Sequence, residues 1–289
     1  MAFLRPTGLD VALEALAAGG PGGVPWVVVA GATDHYPARV GRAPVEDVLD
    51  VTAIGGLHGL EAVDGGWRIG ALTTWTDLVE TPLPSLFDGL KAAALAIGGL
   101  QIQARGTVVG NVCNASPAAD GVPNLLALDA EVELASQVGV RRMPIAAYVL
   151  GNRRTAKRAD ELVTGLTVVP GPLPGTTVRS VFEKLGSRAY LVISIAMVAA
   201  VVEIDPGGAI ARARVAVGAC SEVAQRLPGL EAELVGLPAD AATARIIRPE
   251  HIATLTPIDD VRGSADYRRD AALTVVRRAL ERALAGPAS

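Results

Sequence analysis

Residues 104–130 read ARGTVVGNVCNASPAADGVPNLLALDA, a segment poor in large side chains, and its last third contains an apolar, helix-like run, Leu125 to Leu128. Glycines lack a Cβ and adopt backbone conformations that other residues avoid, so successive N–H groups can converge on an anion. The segment predicts either a loop that holds a phosphate or an ordinary tight turn, and composition leaves both open. The small and polar residues at its centre are Gly106, Thr107, Gly110, Asn111, Asn114, Ser116 and Asp120.

A second small, polar turn occurs near the start of the chain. Trp26 to Ala30 is a continuous, mostly β-branched apolar run, which predicts a buried strand. The run leads directly into Gly31-Ala32-Thr33-Asp34-His35-Tyr36. The end of a strand is another place where free backbone N–H groups could meet a phosphate, and a plain strand-to-loop corner explains the same residues.

Composition narrows the class of protein. The chain has 289 residues, of which 50% are apolar, enough for one large domain or for two to three lobes with their own cores. A formal net charge of −4 and the lack of a basic face argue against a nucleic-acid partner. The N-terminal sequence has no signal-peptide pattern, and apolar runs such as Val192 to Val202 are shorter than the roughly 20 residues of a membrane span. We therefore expect a cytoplasmic protein.

Signatures of other chemistry are missing from the sequence. Cys113 and Cys220 are the only cysteines and form no CxxC pair, which argues against an iron–sulfur cluster, a structural zinc site or a disulfide framework on this chain. There is no GxGxxG, P-loop, GxSxG or HExxH motif. The three histidines, His35, His58 and His251, are far apart, so the sequence predicts no catalytic residue and no metal ligand, and Cys113 is interpreted as a small packing residue.

Both turns resemble flavin-binding loops of the FAD-carrying medium subunit of molybdenum hydroxylases, the xanthine dehydrogenase and carbon monoxide dehydrogenase group. The first resembles A-G-G-T-[DNS], with Ala32 in the place of the second glycine. The second resembles T-[IV]-G-G-[ND]-x-x-x-A-[SD]-P-x-x-[DE] followed by P-x-L-x-A-L-x-A, with Val109 in the place of the first glycine. Alanine is tolerated unless φ must be positive, whereas valine is stiffer and bulkier. The second pattern is matched by Thr107, Val108, Gly110, Asn111, Ala115, Ser116, Pro117, Asp120, Pro123, Leu125, Ala127, Leu128 and Ala130.

Three later segments extend the resemblance almost to the end of the chain. Residues 151–163 are similar to the family's G-x-x-[KR]-T segment and D-E-[LI]-[LV] strand, residues 182–188 to F-x-K-x-x-x-R, and residues 260–268 to D-x-R-[GA]-S-x-x-Y-R. The resemblance implies an α+β fold: a two-lobed FAD-binding fold of the vanillyl-alcohol-oxidase/PCMH type in residues 1–56 and 57–174, then a C-terminal α/β domain with an antiparallel sheet and helices in residues 175–289. The linker PGPLPG, residues 170–175, marks that boundary.

The resemblance also implies a set of FAD contacts. Asp120 would accept a hydrogen bond from a ribose hydroxyl or the ribityl chain, although a helix N-cap explains the same residue. Lys184 would reach the flavin, although an exposed strand lysine is the simpler interpretation. Leu162 or Val163 would lie over the adenine or flavin side. The complete set is Val28, Val29, Ala30, Gly31, Ala32, Thr33, Asp34, His35, Gly106, Thr107, Gly110, Asn111, Asn114, Asp120, Leu162, Val163 and Lys184.

The function implied is that of an FAD-binding electron-transfer subunit. Its expected partners are a large subunit with a molybdenum–pterin centre and a small subunit with two [2Fe–2S] clusters, assembled as a dimer of heterotrimers. Electrons would leave through FAD to NAD⁺, dioxygen or another acceptor. Two alternatives stay open: a structural subunit that has lost the flavin, motivated by Ala32 and Val109, and a stand-alone flavin oxidase of the related fold.

Overall fold

A computed structural model of the chain describes residues 1–41, 43, 45–169 and 171–285, so Pro170 of the predicted linker and residues 286–289 lie outside the described residues. The strands are β1 Phe3–Leu4, β2 Val27–Val29, β3 Val48–Asp50, β4 Leu60–Val63, β5 Gly66–Gly70, β6 Glu131–Ser136, β7 Gly139–Pro144, β8 Val149–Gly151, β9 Arg154–Thr155, β10 Leu162–Val168, β11 Thr177–Leu185, β12 Ala196–Ile204, β13 Ile210–Gly218 and β14 Gln225–Arg226. The α-helices are α1 Leu9–Ala18, α2 Trp75–Glu80, α3 Asp88–Ala96, α4 Leu100–Gln103, α5 Val108–Asn114, α6 Gly121–Ala127, α7 Ile145–Tyr148, α8 Pro228–Leu234 and α9 Ala265–Ala285. Short 3₁₀ helices occupy Pro37–Arg39, Ser85–Phe87, Ala241–Ile246 and Pro249–Ile252.

The N-terminal lobe is a small parallel sheet with strand order β1-β3-β2. The predicted buried strand at Trp26 to Ala30 is confirmed as β2, whose last residue, Val29, is buried. Helix α1 contributes the buried side chains Ala12, Leu13 and Leu16 to the core. Because β2 ends at Val29, the turn that follows it lies at the edge of this sheet.

The second lobe contains an antiparallel sheet with strand order β4-β5-β10-β6-β7. Its central strand, β10, is buried along all seven residues. Helices α5 and α6 contact each other, and α5 also contacts β10. The sheet therefore supports α5 from behind, and the N-terminal end of α5 is fixed next to the turn after β2.

The C-terminal domain is an antiparallel sheet, β11-β12-β13-β14, against which α9 packs. Strand β12 is apolar on both faces, and its alternating side chains serve two cores. Met197, Ala199 and Val201 pack in the core shared with the N-terminal lobes, whereas Val198 and Val202 pack with α9. One strand thereby fixes the C-terminal domain to the second lobe, as expected for a strand whose side chains alternate between faces. The predicted α+β class and the C-terminal antiparallel sheet with helices are confirmed.

No helix within the described ranges is both long enough and apolar enough to cross a membrane.

Candidate functional site

The two turns singled out in the sequence face one cavity of about 570 Å³. One wall is formed by β2 and the turn after it, and the opposite wall is formed by α5 and the residues just before it. The first residues of β10, Leu162 and Val163, both line the cavity. The sequence could not choose between these two residues, and the structure places both at the site.

Gly31 is the point at which the two turns touch. A Cβ built on Gly31 would lie 1.8 Å from the carbonyl oxygen of Arg105 and 3.0 Å from the Cα of Gly106. A Cβ on Gly106 would lie 3.3 Å from Thr33 Oγ1, so the approach is close on both sides. These backbone atoms cannot move aside as the end of a flexible side chain can, and glycine at position 31 is therefore required for the contact.

The second turn is the start of a helix, so the interpretation of this part of residues 104–130 as an ordinary tight turn is wrong beyond Thr107. Thr107 is the N-cap of α5: its hydroxyl accepts a hydrogen bond from the N–H of Gly110 at 2.9 Å. Val108, Val109 and Val112 of this helix are buried, and Val109 also lines the cavity. The missed signal was a Thr N-cap followed by apolar residues at helical spacing.

The two departures from the family pattern have different backbone conformations. Ala32 has φ 55°, in the left-handed region that glycine adopts without cost. Val109 is in the first turn of α5 and is only 2% exposed. The first turn thus keeps a glycine-type backbone without a glycine, and the second needs no glycine at position 109 for its backbone conformation.

Most of the predicted FAD contacts lie around this one cavity. It is lined by Val28, Val29, Ala30, Gly31, Ala32, Thr33, Asp34, His35, Gly106, Thr107, Gly110, Asn111, Asn114, Leu162 and Val163. Residues 34 and 163 are distant in the sequence, and only the fold brings them to the same cavity.

Asp120 and Lys184 are not among the described residues that line the cavity, and they bind each other. Lys184 Nζ lies 2.5 Å from Asp120 Oδ2, and the Ser194 hydroxyl donates a hydrogen bond of 2.6 Å to Asp120 Oδ1. Burial raises the pKa of Asp120, and the ammonium and hydroxyl donors act in the opposite direction. The side chain of Lys184 is 13% exposed, so the interpretation of an exposed strand lysine is wrong. Asp120 is at the N-cap position of α6, yet its side chain makes no capping hydrogen bond.

Charged side chains that the sequence analysis did not single out also line the cavity. Arg39, Arg153 and Lys157 are cationic, whereas Asp34 is the one carboxylate among the described lining residues. Burial lowers the pKa of Lys157, and burial together with the neighbouring Arg39 lowers the pKa of His35. Lys157 and Arg153 follow or lie within the segment similar to G-x-x-[KR]-T, which was the available signal, whereas nothing in the sequence marks Arg39.

Cys113, interpreted from the sequence as a small packing residue, has its side chain exposed on the cavity wall. The Tyr148 hydroxyl lies 3.5 Å from Cys113 Sγ and donates to it. Desolvation by the surrounding protein raises the pKa of the Cys113 thiol and of the Tyr148 phenol, so both stay protonated at neutral pH. The pair gives the wall a polar patch without a nucleophile. Among the described residues, no group of three or more His, Cys, Asp or Glu side chains is arranged to hold a metal ion.

The sequence family described as the FAD binding domain in molybdopterin dehydrogenase matches residues 1–171. This chain belongs to that family. A second family, described as the CO dehydrogenase flavoprotein C-terminal domain, matches residues 181–283. The resemblance inferred from the two turns is thereby confirmed, and membership places this FAD-binding subunit among the oxidoreductases.

Similarity to individual proteins extends over most of the chain. It is 30% identical to the nicotinate dehydrogenase FAD-subunit of Eubacterium barkeri over 88% of this chain and 87% of the relative. It is also 30% identical to the 6-hydroxypseudooxynicotine dehydrogenase complex subunit alpha of Paenarthrobacter nicotinovorans, over 96% of this chain and 92% of the relative. Among solved structures, a chain of the carbon monoxide dehydrogenase of Hydrogenophaga pseudoflava superposes with a TM-score of 0.85 at 28% identity, covering 98% of this chain and 96% of that one.

Proposed function

We propose that the cavity between the two turns holds FAD, with the diphosphate at the junction of residues 31–34 and the start of α5. The observation that carries this proposal is the approach of Gly31 to Arg105, where an added Cβ would lie 1.8 Å from a carbonyl oxygen. At this junction the backbones of the two turns meet without a side chain between them. Ala32, held at φ 55°, preserves the geometry of that junction.

The charge of the cavity supports an anionic ligand. Of the three cationic side chains among the described lining residues, Arg39 pairs with Glu46 and Arg153 pairs with Asp34. Lys157 forms no ion pair within the described part of the chain, and its ammonium group suits a diphosphate. Backbone N–H groups and the side-chain amides of Asn111 and Asn114 add hydrogen-bond donors.

The apolar walls support the binding of flat ring systems. Residues 26–30 form one such wall, and Leu162 and Val163 form part of another. These side chains bind by contact, exclude water and fix the orientation of the ligand. FAD, when bound, supplies the redox chemistry, and this chain's residues supply binding, orientation and electrostatic environment.

We further propose that the chain is the electron-transfer subunit of a heteromeric molybdenum hydroxylase. It would receive electrons from [2Fe–2S] clusters on a small subunit and deliver them to NAD or another acceptor, with the molybdenum–pterin centre on a large subunit. Support comes from relatives whose names describe FAD-binding subunits or parts of dehydrogenase complexes. A dimer of heterotrimers is the proposed assembly.

Titration of the purified chain with FAD tests the first proposal. We expect quenching of flavin fluorescence and retention of flavin absorbance after removal of free FAD. A folded chain that retains no flavin would overturn the proposal and favour the structural-subunit alternative instead.

Mass spectrometry of the complex copurified from the native host tests the second proposal: absence of a molybdenum subunit and a Cys-rich subunit would contradict it. Anaerobic reduction of the bound flavin by NADH would then identify NAD as an acceptor.

A further inference from the structure

Arg153 occupies a strained position at the edge of the cavity. It lies in the turn between β8 and β9 with φ 55°, a conformation that residues other than glycine, asparagine and aspartate rarely adopt. Its N–H donates a hydrogen bond of 3.0 Å to the carbonyl of Ala115, the residue that ends α5. Strained residues persist where the surrounding structure holds them, and they are frequent at ligand clamps.

The side chain of Arg153 crosses from one wall of the cavity to the other. Its Nη1 atom donates to Asn114 Oδ1 at 2.8 Å, on the same wall as the turn that carries it. The same atom lies 3.1 Å from Asp34 Oδ2, on the opposite wall. Asp34 belongs to the first turn, two residues after the strained Ala32. All three of these polar side chains line the cavity.

The ion pair between Asp34 and Arg153 lies at the mouth of the cavity. The two side chains are 53% and 60% exposed, respectively, so solvent reaches both of them. An exposed ion pair of this kind is weak enough to open readily and gives only a small preference for the closed state. The pair can therefore separate to admit a ligand and form again behind it.

We propose that Arg153 is a positioning residue that closes the cavity mouth over the bound cofactor through its ion pair with Asp34. The inference rests on the proposed binding of FAD. The hydrogen bonds to Asn114 and to the Ala115 carbonyl position Arg153 so that its guanidinium lies next to Asp34 on the other lobe. The two turns are thus joined twice: by backbone contact at Gly31 and by a reversible ion pair at the mouth.

A direct contact between Arg153 and the diphosphate would give a different result. If Arg153 bound the ligand, neutralising Asp34 would free the guanidinium and strengthen binding, whereas removing Arg153 would weaken it. If Arg153 closes the mouth with Asp34, neutralising either residue has the same effect. The two roles are therefore separated by the sign of the effect at Asp34.

The experiment measures association and dissociation rates of FAD by stopped-flow fluorescence on R153N and D34N. Asparagine tolerates the left-handed conformation at position 153 but is too short to reach Asp34. We expect both variants to raise both rates by about two- to fivefold, the range for loss of an exposed ion pair. High salt should raise the wild-type rates toward those of the variants.

R154N is the matched control. Arg154 is the next residue, is 66% exposed and forms its own ion pair with Glu222 at 3.4 Å. It does not line the cavity within the described part of the chain, so R154N should leave both rates unchanged. The charge-exchanged variant D34R/R153D should return the rates toward the wild-type values, which a purely structural role for Arg153 would not produce.

Each result decides the proposal. Unchanged rates in R153N and D34N, or opposite effects of the two substitutions, would overturn the closing role of Arg153 while FAD binding stands. Failure of the wild-type chain to bind FAD would overturn the proposed function and this role together.

Discussion

The two turns that face the cavity each lack one glycine of the family pattern, but the structure gives the two departures different physical meanings. Ala32 has φ 55°, where a Cβ costs about 1–2 kcal/mol. Val109 has a helical backbone and a side chain that is 2% exposed in the core. The smaller substitution is therefore the strained one, and the larger one stabilises the fold.

This contrast shows that backbone conformation, more than side-chain size, decides whether a missing glycine is costly. At position 109 the helix begun by Thr107 supplies an ordinary φ, and the valine packs. Position 32 lies outside any helix or strand, and its backbone keeps the left-handed conformation. The glycine that neither turn could lose is Gly31, because its missing Cβ leaves room for the backbone of Arg105.

The largest expected effect is that of G31A, which removes the contact on which the comparison depends. The added Cβ would lie 1.8 Å from a backbone oxygen, so the turns must separate. We expect destabilisation of about 3 kcal/mol or more, at or above the upper end for overpacking, and loss of FAD binding. Chemical denaturation and flavin titration measure the two effects.

G55A is the matched control for G31A. Gly55 is in the same lobe, and a Cβ there would have no heavy atom within 4 Å. G55A should leave stability and flavin binding close to the wild-type values. Tight FAD binding by G31A would show that the two turns do not need to touch.

The next effect in size concerns Val109, where restoring the family's glycine should damage the protein. V109G removes a buried side chain worth about 2 kcal/mol and adds the entropic cost of glycine in a helix, about 1 kcal/mol. We expect destabilisation of about 3 kcal/mol for V109G and about 2 kcal/mol for V109A in urea denaturation. A stability of V109G equal to the wild type would contradict the structural role assigned to this valine.

Much of the first turn could be predicted from the sequence. A β-branched run followed by Gly31 and small polar residues specifies a strand and a turn through local chemistry alone. The helix after Thr107 was missed because glycine, asparagine and valine are weak helix formers. Burial of Val108, Val109 and Val112 against the sheet outweighs that weakness, and such burial is a property of the tertiary fold.

The rest of the site depends on residues that are distant in the sequence. Arg153 reaches Asp34 only because the turn between β8 and β9 is fixed to the end of α5. Lys184 is directed to Asp120 because β11 packs beside the second lobe, so two predicted flavin contacts form an ion pair with each other. Spacing along a chain does not specify such pairs. The family pattern indicates which residues lie near the flavin, but not which of these residues bind each other.

A smaller effect, of opposite sign, is expected for A32G. Glycine removes the cost of the left-handed conformation, which is about 1–2 kcal/mol for alanine. Glycine also raises the conformational entropy of the unfolded chain, which lowers stability by about 0.5–1 kcal/mol. A32G should therefore stabilise the chain by up to about 1 kcal/mol in thermal or chemical unfolding. A38G is the control: Ala38 lies in the 3₁₀ helix Pro37–Arg39 with an ordinary φ, so glycine there should destabilise. Destabilisation by A32G would mean that position 32 is not strained.

The smallest expected effect is on the pH dependence of stability, to which the first turn contributes through His35. Burial and Arg39 lower the pKa of His35 in the first turn below its ordinary value of 6.5, whereas residues 106–111 contain no ionisable side chain. The unfolded chain therefore binds a proton at a higher pH than the folded chain, and the contribution of His35 to stability falls as pH drops below about 6.5. H35Q should reduce the loss of stability between about pH 7.5 and 5.5, whereas H58Q, at an exposed histidine outside the cavity, should leave the loss unchanged. Equal pH dependence of H35Q and the wild type would show that the first turn is as insensitive to protonation as the second.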